Sequence, residues 1–327
     1  MNTLDIIALK EVNKLKNREV IDMVDNNRDF LVIRTDFSQR KDEIVHRLSQ
    51  VHGLKILTYW DSDYPQIIRN IPDPPAVLYC LGDISLLNSD CLSIVGSRKT
   101  TEYGRQICKN LCSQLDDHTL VSGMAFGIDT IVHQNAKRTI AVLGCGVDVI
   151  YPQSNKELYR RLTEEELVIS EFFPGTPPAK YTFPYRNRII AGLSSKTIVV
   201  EASKKSGSLI TAAYAANFSR DVYAVPGDIT RLNSEGTNHL IYSGATPITS
   251  VERARKILGL QEKLVLGCSA YENGESVLIG YIRKGISTLD ELAEKTGRDL
   301  SELMAEISEH EINGLIYQES GKYYYKG

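Results

Sequence analysis

Six short apolar runs, separated by helix-forming segments, constrain the fold of this chain more than any other feature. They cover residues 92–95, 120–121, 139–143, 167–169, 197–200 and 222–225. Runs of this length, alternating with helical sequence, are typical of strands in an open parallel α/β sheet. The sequence therefore predicts an α/β domain built on such a sheet over residues 57–255.

Small or polar residues follow every one of these runs. They are Gly96-Ser97-Arg98, Ser122-Gly123-Met124-Ala125, Gly144-Cys145-Gly146, Ser170-Glu171, Glu201-Ala202-Ser203 and Pro226-Gly227-Asp228. Ligands of open α/β sheets bind beyond the carboxyl ends of the strands. We therefore expect the six loops to form one crevice that holds the functional site.

Basic residues concentrate around the fifth run. Residues 180–205 hold six Lys or Arg side chains against the single acid Glu201, in a chain whose net charge is −3. This local excess predicts an anionic partner. Phe183 adds a flat face of the kind on which unpaired bases stack, and residues 206–208 precede a helix-forming segment whose N-terminus could receive a phosphate. The competing interpretation is a core Phe183 with solvated cations around it.

Motifs of the common nucleotide enzymes are missing. Residues 96–104 lack the G-x-G-x-x-G pattern of dinucleotide sites, and no Walker A loop is present. Asp129 and His133 would share one helix face, but no third ligand or nucleophile accompanies them. We expect both to be structural, with Asp129 bonding loop N–H groups. No catalytic residue, metal ligand or cofactor is predicted.

Composition indicates a cytoplasmic protein. There is no secretory segment and no apolar run long enough to span a membrane, so we expect no membrane partner. The six cysteines, at positions 80, 91, 108, 112, 145 and 268, form no C-x-x-C pair. Scattered cysteines of this kind are typical of reduced, packed thiols.

The two flanks differ from the central domain. Residues 1–56 show the apolar spacing of helices and predict a small helical domain. Residues 277–283, 288–296 and 300–310 predict three helices, and residues 315–318 and 323–325 a hairpin, which together indicate a winged-helix-like domain over residues 265–327. Because residues 275–327 carry ten acids against six bases, we expect this domain to contact protein rather than duplex DNA.

An ordered series of motifs resembles the bacterial DNA processing protein A (DprA/Smf) family. The resemblance covers roughly residues 57–250 and is highly specific because so many motifs occur in order. The residues that carry it are 94–98 with 103–104, 121–129, 139–146 with 151–152, 183–188, 200–202 with 206–208, and 225–227.

The resemblance implies a function. Proteins of this family have an extended Rossmann domain without enzymatic activity, which binds and protects single-stranded DNA, forms a homodimer and helps to load RecA recombinase during natural transformation. The DNA contacts carried over are Ser97, Arg98, Lys180, Phe183, Arg186, Asn187, Arg188, Ser206, Gly207 and Ser208. In this hypothesis Arg98, Arg186 and Arg188 bind phosphate and Phe183 stacks on bases.

Two alternatives remain open. A nucleotide hydrolase of the phosphoribohydrolase type would share the Gly-rich strand ends, but it needs a P-G-G-x-G-T-x-x-E loop, which the segment at Pro226-Gly227-Asp228 lacks. A protein-interaction scaffold is the other alternative, and the cations around Phe183 argue against it.

Overall fold

A computed structural model describes residues 2–26, 37–261, 271–272, 275–319 and 321–326. The chain divides into two compact units, Met1–Gln261 and Glu262–Gly327. A sheet of nine strands forms the first unit. Its strands are β1 (Lys55–Thr58), β2 (Val77–Gly82), β3 (Cys91–Val95), β4 (Thr119–Ser122), β5 (Thr139–Val142), β6 (Leu167–Ser170), β7 (Lys196–Val199), β8 (Asp221–Ala224) and β9 (Thr246–Pro247).

The sheet is mostly parallel, in the order β1-β2-β6-β5-β4-β3-β7-β8-β9. The six predicted strands correspond to β3 through β8, so the α/β prediction is confirmed. At one end of the sheet the pairing is antiparallel, between β1 and β2 and between β2 and β6. The chain winds outward from β3 to β6 in one direction and from β7 to β9 in the other. The direction of winding therefore switches between β3 and β7, the place where such sheets bind ligands.

Helices cover both faces of the sheet. They are α1 (Thr3–Asn13), α2 (Asn17–Asp25), α3 (Phe37–Ser49), α4 (Gln66–Arg69), α5 (Glu102–Gln114), α6 (Ile128–Asn135), α7 (Lys156–Glu165), α8 (Thr182–Gly192), α9 (Ser208–Asn217), α10 (Glu235–Tyr242) and α11 (Ala254–Ile257). Leu111 of α5 and Val132 of α6 pack in one buried cluster, and Ile189 of α8 and Ala212 of α9 pack in another. Each face thus has its own apolar core.

The N-terminal helices share their core with the sheet. Ile7 and Val20 are fully buried in the same cluster as Val77, Tyr79 and Val168. Residues 1–56, expected as a separate helical domain, therefore lie within the unit Met1–Gln261. The physical reason is that the apolar stripe of α1 shares a buried cluster with side chains from one face of β2 and β6, whereas three short helices enclose little core of their own.

The second unit contains the three helices and the hairpin predicted for the tail, and two short strands that were not predicted. The two short strands are β10 (Tyr271–Glu272) and β11 (Glu275–Ser276), and the predicted elements are α12 (Val277–Arg283), α13 (Leu289–Thr296), α14 (Leu300–Ile312), β12 (Ile316–Glu319) and β13 (Lys322–Tyr325). Leu278, Leu292, Leu303 and Ile316 form its buried core. Three helices followed by a hairpin agree with the expected element order, and the winged-helix assignment stays a prediction.

Two further observations bear on the sequence-based expectations. Cys80, Cys91, Cys108, Cys112 and Cys145 are free and buried, while Cys268 lies outside the described residues. Within the described parts of the chain, no helix combines the length and the apolar character needed to cross a membrane.

Candidate nucleic-acid interface

A cleft of about 550 Å³ opens where the winding direction of the sheet switches. The loops after β3 and β7 form two of its walls, and the start of α8 forms a third. Nine of the ten predicted DNA contacts line it. They are Ser97, Arg98, Lys180, Phe183, Arg186, Asn187, Ser206, Gly207 and Ser208.

The predicted crevice of six loops was wrong in extent. Residues of the loops after β3, β4 and β7 line the cleft, together with Tyr151. Residues 170–171 and 226–228, after β6 and β8, are not part of its lining. β6 is the fourth strand from the switch between β3 and β7, so its end lies too far along the sheet edge. From the connection after β8, Asn233 is the residue that lines the cleft.

Phe183 and Arg98 form an aromatic and cationic pair in this cleft. The guanidinium carbon of Arg98 lies 5.4 Å from the centroid of the Phe183 ring. Tyr151 flanks the same ring at 5.4 Å between centroids. Phe183 is half-buried and Arg98 is exposed, so the pair faces solvent rather than the core. A Cβ on Gly144 would lie 2.8 Å from Cδ1 of Phe183, so only glycine leaves room for the ring.

The turn at residues 206–208 leads into α9. The hydroxyls of Ser206 and Ser208 lie 2.8 Å apart, and Asn187 Nδ2 donates to the Gly207 carbonyl at 3.2 Å. Within the described residues, the Gly207 amide donates to no protein acceptor. A free N–H at the start of a ten-residue helix suits an anion, because the helix dipole adds positive potential there.

Arg186 forms part of the cleft wall but is only 3% exposed. Its Nη1 donates to the Gly123 carbonyl at 2.7 Å and also to the Val142 carbonyl. Burial lowers the pKa of Arg186 to about 10, and the nearby Asp129 opposes that shift. The guanidinium is thus still charged at neutral pH. It ties α8 to the ends of β4 and β5 while adding positive potential to the cleft.

Arg188 lies outside the cleft, so its prediction as a phosphate ligand is corrected. Its Nη1 and Nη2 bind the two carboxylate oxygens of Glu171 at 2.9 and 2.6 Å, and its Nε binds Asp73 at 3.0 Å. Burial lowers the pKa of Arg188, but the negative charges around it outweigh burial and raise the pKa overall. Arg188 lies two residues after Arg186 in α8, which corresponds to a rotation of about 200° around the helix axis. Its side chain therefore points away from the helix face that carries Arg186.

Acidic groups near the cleft are already bonded to protein. Glu201 accepts from the Thr100 hydroxyl at 2.8 Å and from the Thr101 amide at 2.9 Å, which fixes the start of α5. Asp129 is the one acidic residue among the described residues that line the cleft. It is buried, and its carboxylate accepts a hydrogen bond from the Ala125 amide at 3.3 Å. Burial raises the pKa of Asp129, and Arg186 partly reverses the effect. The loop-bonding role expected for Asp129 is confirmed.

His133 is also structural. It is fully buried, and its Nδ1 lies 2.8 Å from the Thr139 hydroxyl. Burial lowers the pKa of His133 to about 3, so the imidazole is neutral near pH 7. A neutral ring that contacts a strand residue agrees with the expected structural role.

Sequence reasoning missed several cleft residues. Tyr151 and Lys99 line the cleft without having been assigned a role, as does Asn233, whose Nδ2 donates to the Lys99 carbonyl at 2.6 Å. Lys99 directly follows the Gly96-Ser97-Arg98 strand end, so its position in the chain was a usable signal. Asn233 comes from a segment distant in sequence, and only the fold brings it to the cleft.

Comparisons with known proteins give matches over the part of the chain that forms the sheet. The model of a family described as DNA recombination-mediator protein A matches residues 55–259. Protein Smf of Synechocystis is 41% identical over 215 residues, which are 63% of this chain and 54% of the relative, so the chain spans about half of that protein. DNA processing protein DprA of Streptococcus pneumoniae is 44% identical over 195 residues, 58% of this chain and 69% of the relative.

Two solved structures are similar over most of their length. DNA processing protein A from Streptococcus pneumoniae superposes with a TM-score of 0.71 and 35% identity, covering 79% of this chain and 98% of that one. DNA processing protein A from Helicobacter pylori, whose structure is described as giving insight into its single-stranded DNA binding mode, has a TM-score of 0.59 and 31% identity. The match covers 63% of this chain and 95% of that one.

Proposed function

Because the chain belongs to the DNA recombination-mediator protein A family, we propose that its cleft binds single-stranded DNA for recombination during natural transformation. The observation that carries this proposal is the Arg98 guanidinium 5.4 Å from the Phe183 ring, beside the start of α9. An aromatic face takes an unpaired base, while the cation and the helix N-terminus take phosphate. The Helicobacter relative, described as binding single-stranded DNA, supports the same ligand class.

Two kinds of interaction bind the strand in the cleft: charged side chains bind its phosphates, and an aromatic ring stacks on its bases. Arg98, Lys99, Lys180 and Lys205 are exposed cations that line it, and each can neutralise a phosphate. Phe183 supplies a surface without sequence preference, since every base has a stacking face. No cofactor enters this proposal, and the protein acts by binding the strand rather than by catalysis.

Titration with a labelled single strand and with a duplex, each at several salt concentrations, tests the proposal. If three or four phosphates are neutralised, log affinity should fall against log salt with a slope of roughly −2 to −3. Equal affinity for the two forms, or binding that is independent of salt, would refute it.

Two variants separate the roles. Arg98→Ala should make the salt slope shallower by about 1, whereas Phe183→Ala should lower affinity by about tenfold with the slope unchanged. Arg160→Ala is the matched control, because this exposed arginine pairs with Glu157 on α7 and does not line the cleft. Identical effects of the two cleft variants would show that the roles are not divided.

Two partners are also part of the proposal. We infer a homodimer, for which Ile229, Leu232 and Tyr242 are candidate contacts, since they are exposed apolar side chains in or near α10. A monomeric mass in light scattering at micromolar concentration would count against it. We also infer that the bound strand is handed to RecA recombinase, which predicts faster RecA filament assembly on the strand when this protein is present.

A further inference from the structure

A second groove of about 640 Å³ lies on the other side of the loop after β3. It is bounded by α5, α6 and the loop after β4. Its lining includes Arg98, Lys99, Arg105, Phe126 and Gln134. None of the DNA contacts predicted from sequence, apart from Arg98, belongs to this groove.

The groove is continuous with the cleft. Arg98 and Lys99 line both of them. A small depression of about 20 Å³ adjoins them, and Arg98, Phe126, Tyr151 and Phe183 all contribute to its lining. The aromatic residues of the cleft are thus followed by Phe126, which belongs to the second groove.

Phe126 is presented to solvent by a fixed loop. Its side chain is 50% exposed, while Met124 and Ile128 on either side are buried. Gly127 has φ of +77°, and a Cβ there would lie 2.2 Å from the Ser97 carbonyl oxygen. The loop therefore packs directly against the backbone of the β3 loop, which holds Phe126 near Arg98. A large apolar side chain left exposed beside cations suits a stacking partner.

The charge of the groove favours a phosphate chain. Its lining contains Arg98, Lys99 and Arg105 and no acidic residue. Arg105 Nε lies 3.3 Å from a carboxylate oxygen of Glu102, but both side chains are exposed. A surface pair of this kind is weak and screened by water, so the guanidinium can still attract phosphate.

We propose that single-stranded DNA leaving the cleft passes Arg98, stacks a base on Phe126 and continues along the groove between α5 and α6. The inference rests on the proposed function, because it extends the same strand. It predicts that a strand long enough to reach the groove binds more tightly than one that fills the cleft alone, and that groove variants affect only the longer strand.

The test measures anisotropy with thymidine strands of about 5 and about 15 nucleotides, lengths close to the lower and upper ends of the site sizes of single-strand binding domains. For each strand, the affinity of a variant is divided by the affinity of the unchanged protein. This ratio removes the statistical advantage of the long strand, which can bind the cleft in more positions than the short one. Phe126→Ala should weaken the long strand by about tenfold and leave the short one unchanged. Phe126→Tyr should retain tight binding, which separates loss of stacking from loss of the fold.

A gain of function guards against damage to the structure. Gln134→Lys adds a cation inside the groove and should strengthen long-strand binding and steepen its salt slope by about 1. Asn135→Lys adds the same charge to the next residue of α6, which does not line the groove, and serves as the control.

The inference is overturned if Gln134→Lys and Asn135→Lys change long-strand affinity equally, or if Phe126→Ala weakens both strands alike. The failure of the proposed function looks different. In that case the unchanged protein itself binds neither the short nor the long strand.

Discussion

The buried pair of Arg188 and Glu171 gives the sharpest test of the structure, because the sequence assigned Arg188 to DNA. Both side chains are 3% exposed, and two hydrogen bonds of 2.9 and 2.6 Å join them. Asn17 Nδ2 donates to the same carboxylate at 3.1 Å, which connects α2 to this pair. Removing Arg188 leaves the Glu171 carboxylate buried without its ion-pair partner. Arg188→Ala should therefore lower the free energy of unfolding by about 3–5 kcal/mol. Glu171→Ala should cost less, because Arg188 keeps its ion pair with Asp73.

Urea denaturation followed by tryptophan fluorescence measures this loss. Trp60 is the single tryptophan and belongs to the unit Met1–Gln261, so its signal reports the unfolding of that unit. Arg160→Ala is the control, since the Arg160 and Glu157 side chains are 54% and 81% exposed. An exposed pair of this kind is worth at most about 1 kcal/mol.

A double variant separates the structural role from DNA binding. Replacing both partners, as in Arg188→Met with Glu171→Leu, removes both buried charges and should be less destabilising than Arg188→Ala. Asp73 also loses its partner, but its side chain is partly exposed to water. The folded double variant should bind single-stranded DNA with an unchanged salt slope. The reasoning is refuted if Arg188→Ala unfolds within about 1 kcal/mol of the unchanged protein, or if the double variant loses about 1 from its slope.

Three further predictions concern the core, the cleft and the tail. The pKa of His133 is lowered by burial from 6.5 to about 3, so the unfolded chain binds a proton over this range that the folded protein does not. The contribution of His133 to the free energy of unfolding is therefore complete above pH 6.5 and is lost as pH falls towards 3, by up to about 1.4 kcal/mol per pH unit. His133→Gln should reduce this dependence of the free energy of unfolding on pH, measured by denaturation at several acidic pH values. Gly144→Ala should displace the Phe183 ring, which would lie 2.8 Å from the new Cβ, and should weaken single-strand binding at an unchanged salt slope; unaltered affinity would contradict this role of Gly144. Deleting residues 265–327 should leave single-strand affinity within about threefold of that of the full chain. The acidic tail repels phosphate, so we expect it to make no contact with the strand. Tight binding of duplex DNA by the isolated tail, seen as a mobility shift, would instead make it a second DNA-reading domain.

Local pattern fixed much of the architecture in advance. Short β-branched runs bounded by glycine and serine predict strands wherever they occur, so β3 through β8 were found to within a residue or two. Capping chemistry is equally local, as the box of Thr288 and Glu291 at the start of α13 shows. Most of the cleft also followed, because the ends of parallel strands must meet at one edge of the sheet.

The division of labour among charged residues needed the tertiary structure. Arg98, Arg186 and Arg188 look alike in sequence, yet one is exposed over an aromatic ring, one is tied to carbonyls and one is paired with Glu171. Their partners lie between 17 and 115 positions away in the chain. The sequence by itself determined the strands, their polar ends and the sign of the charge, since these depend on neighbouring residues. Only the packing of α8 against distant strand ends decided which cation faces the cleft and which one lies buried.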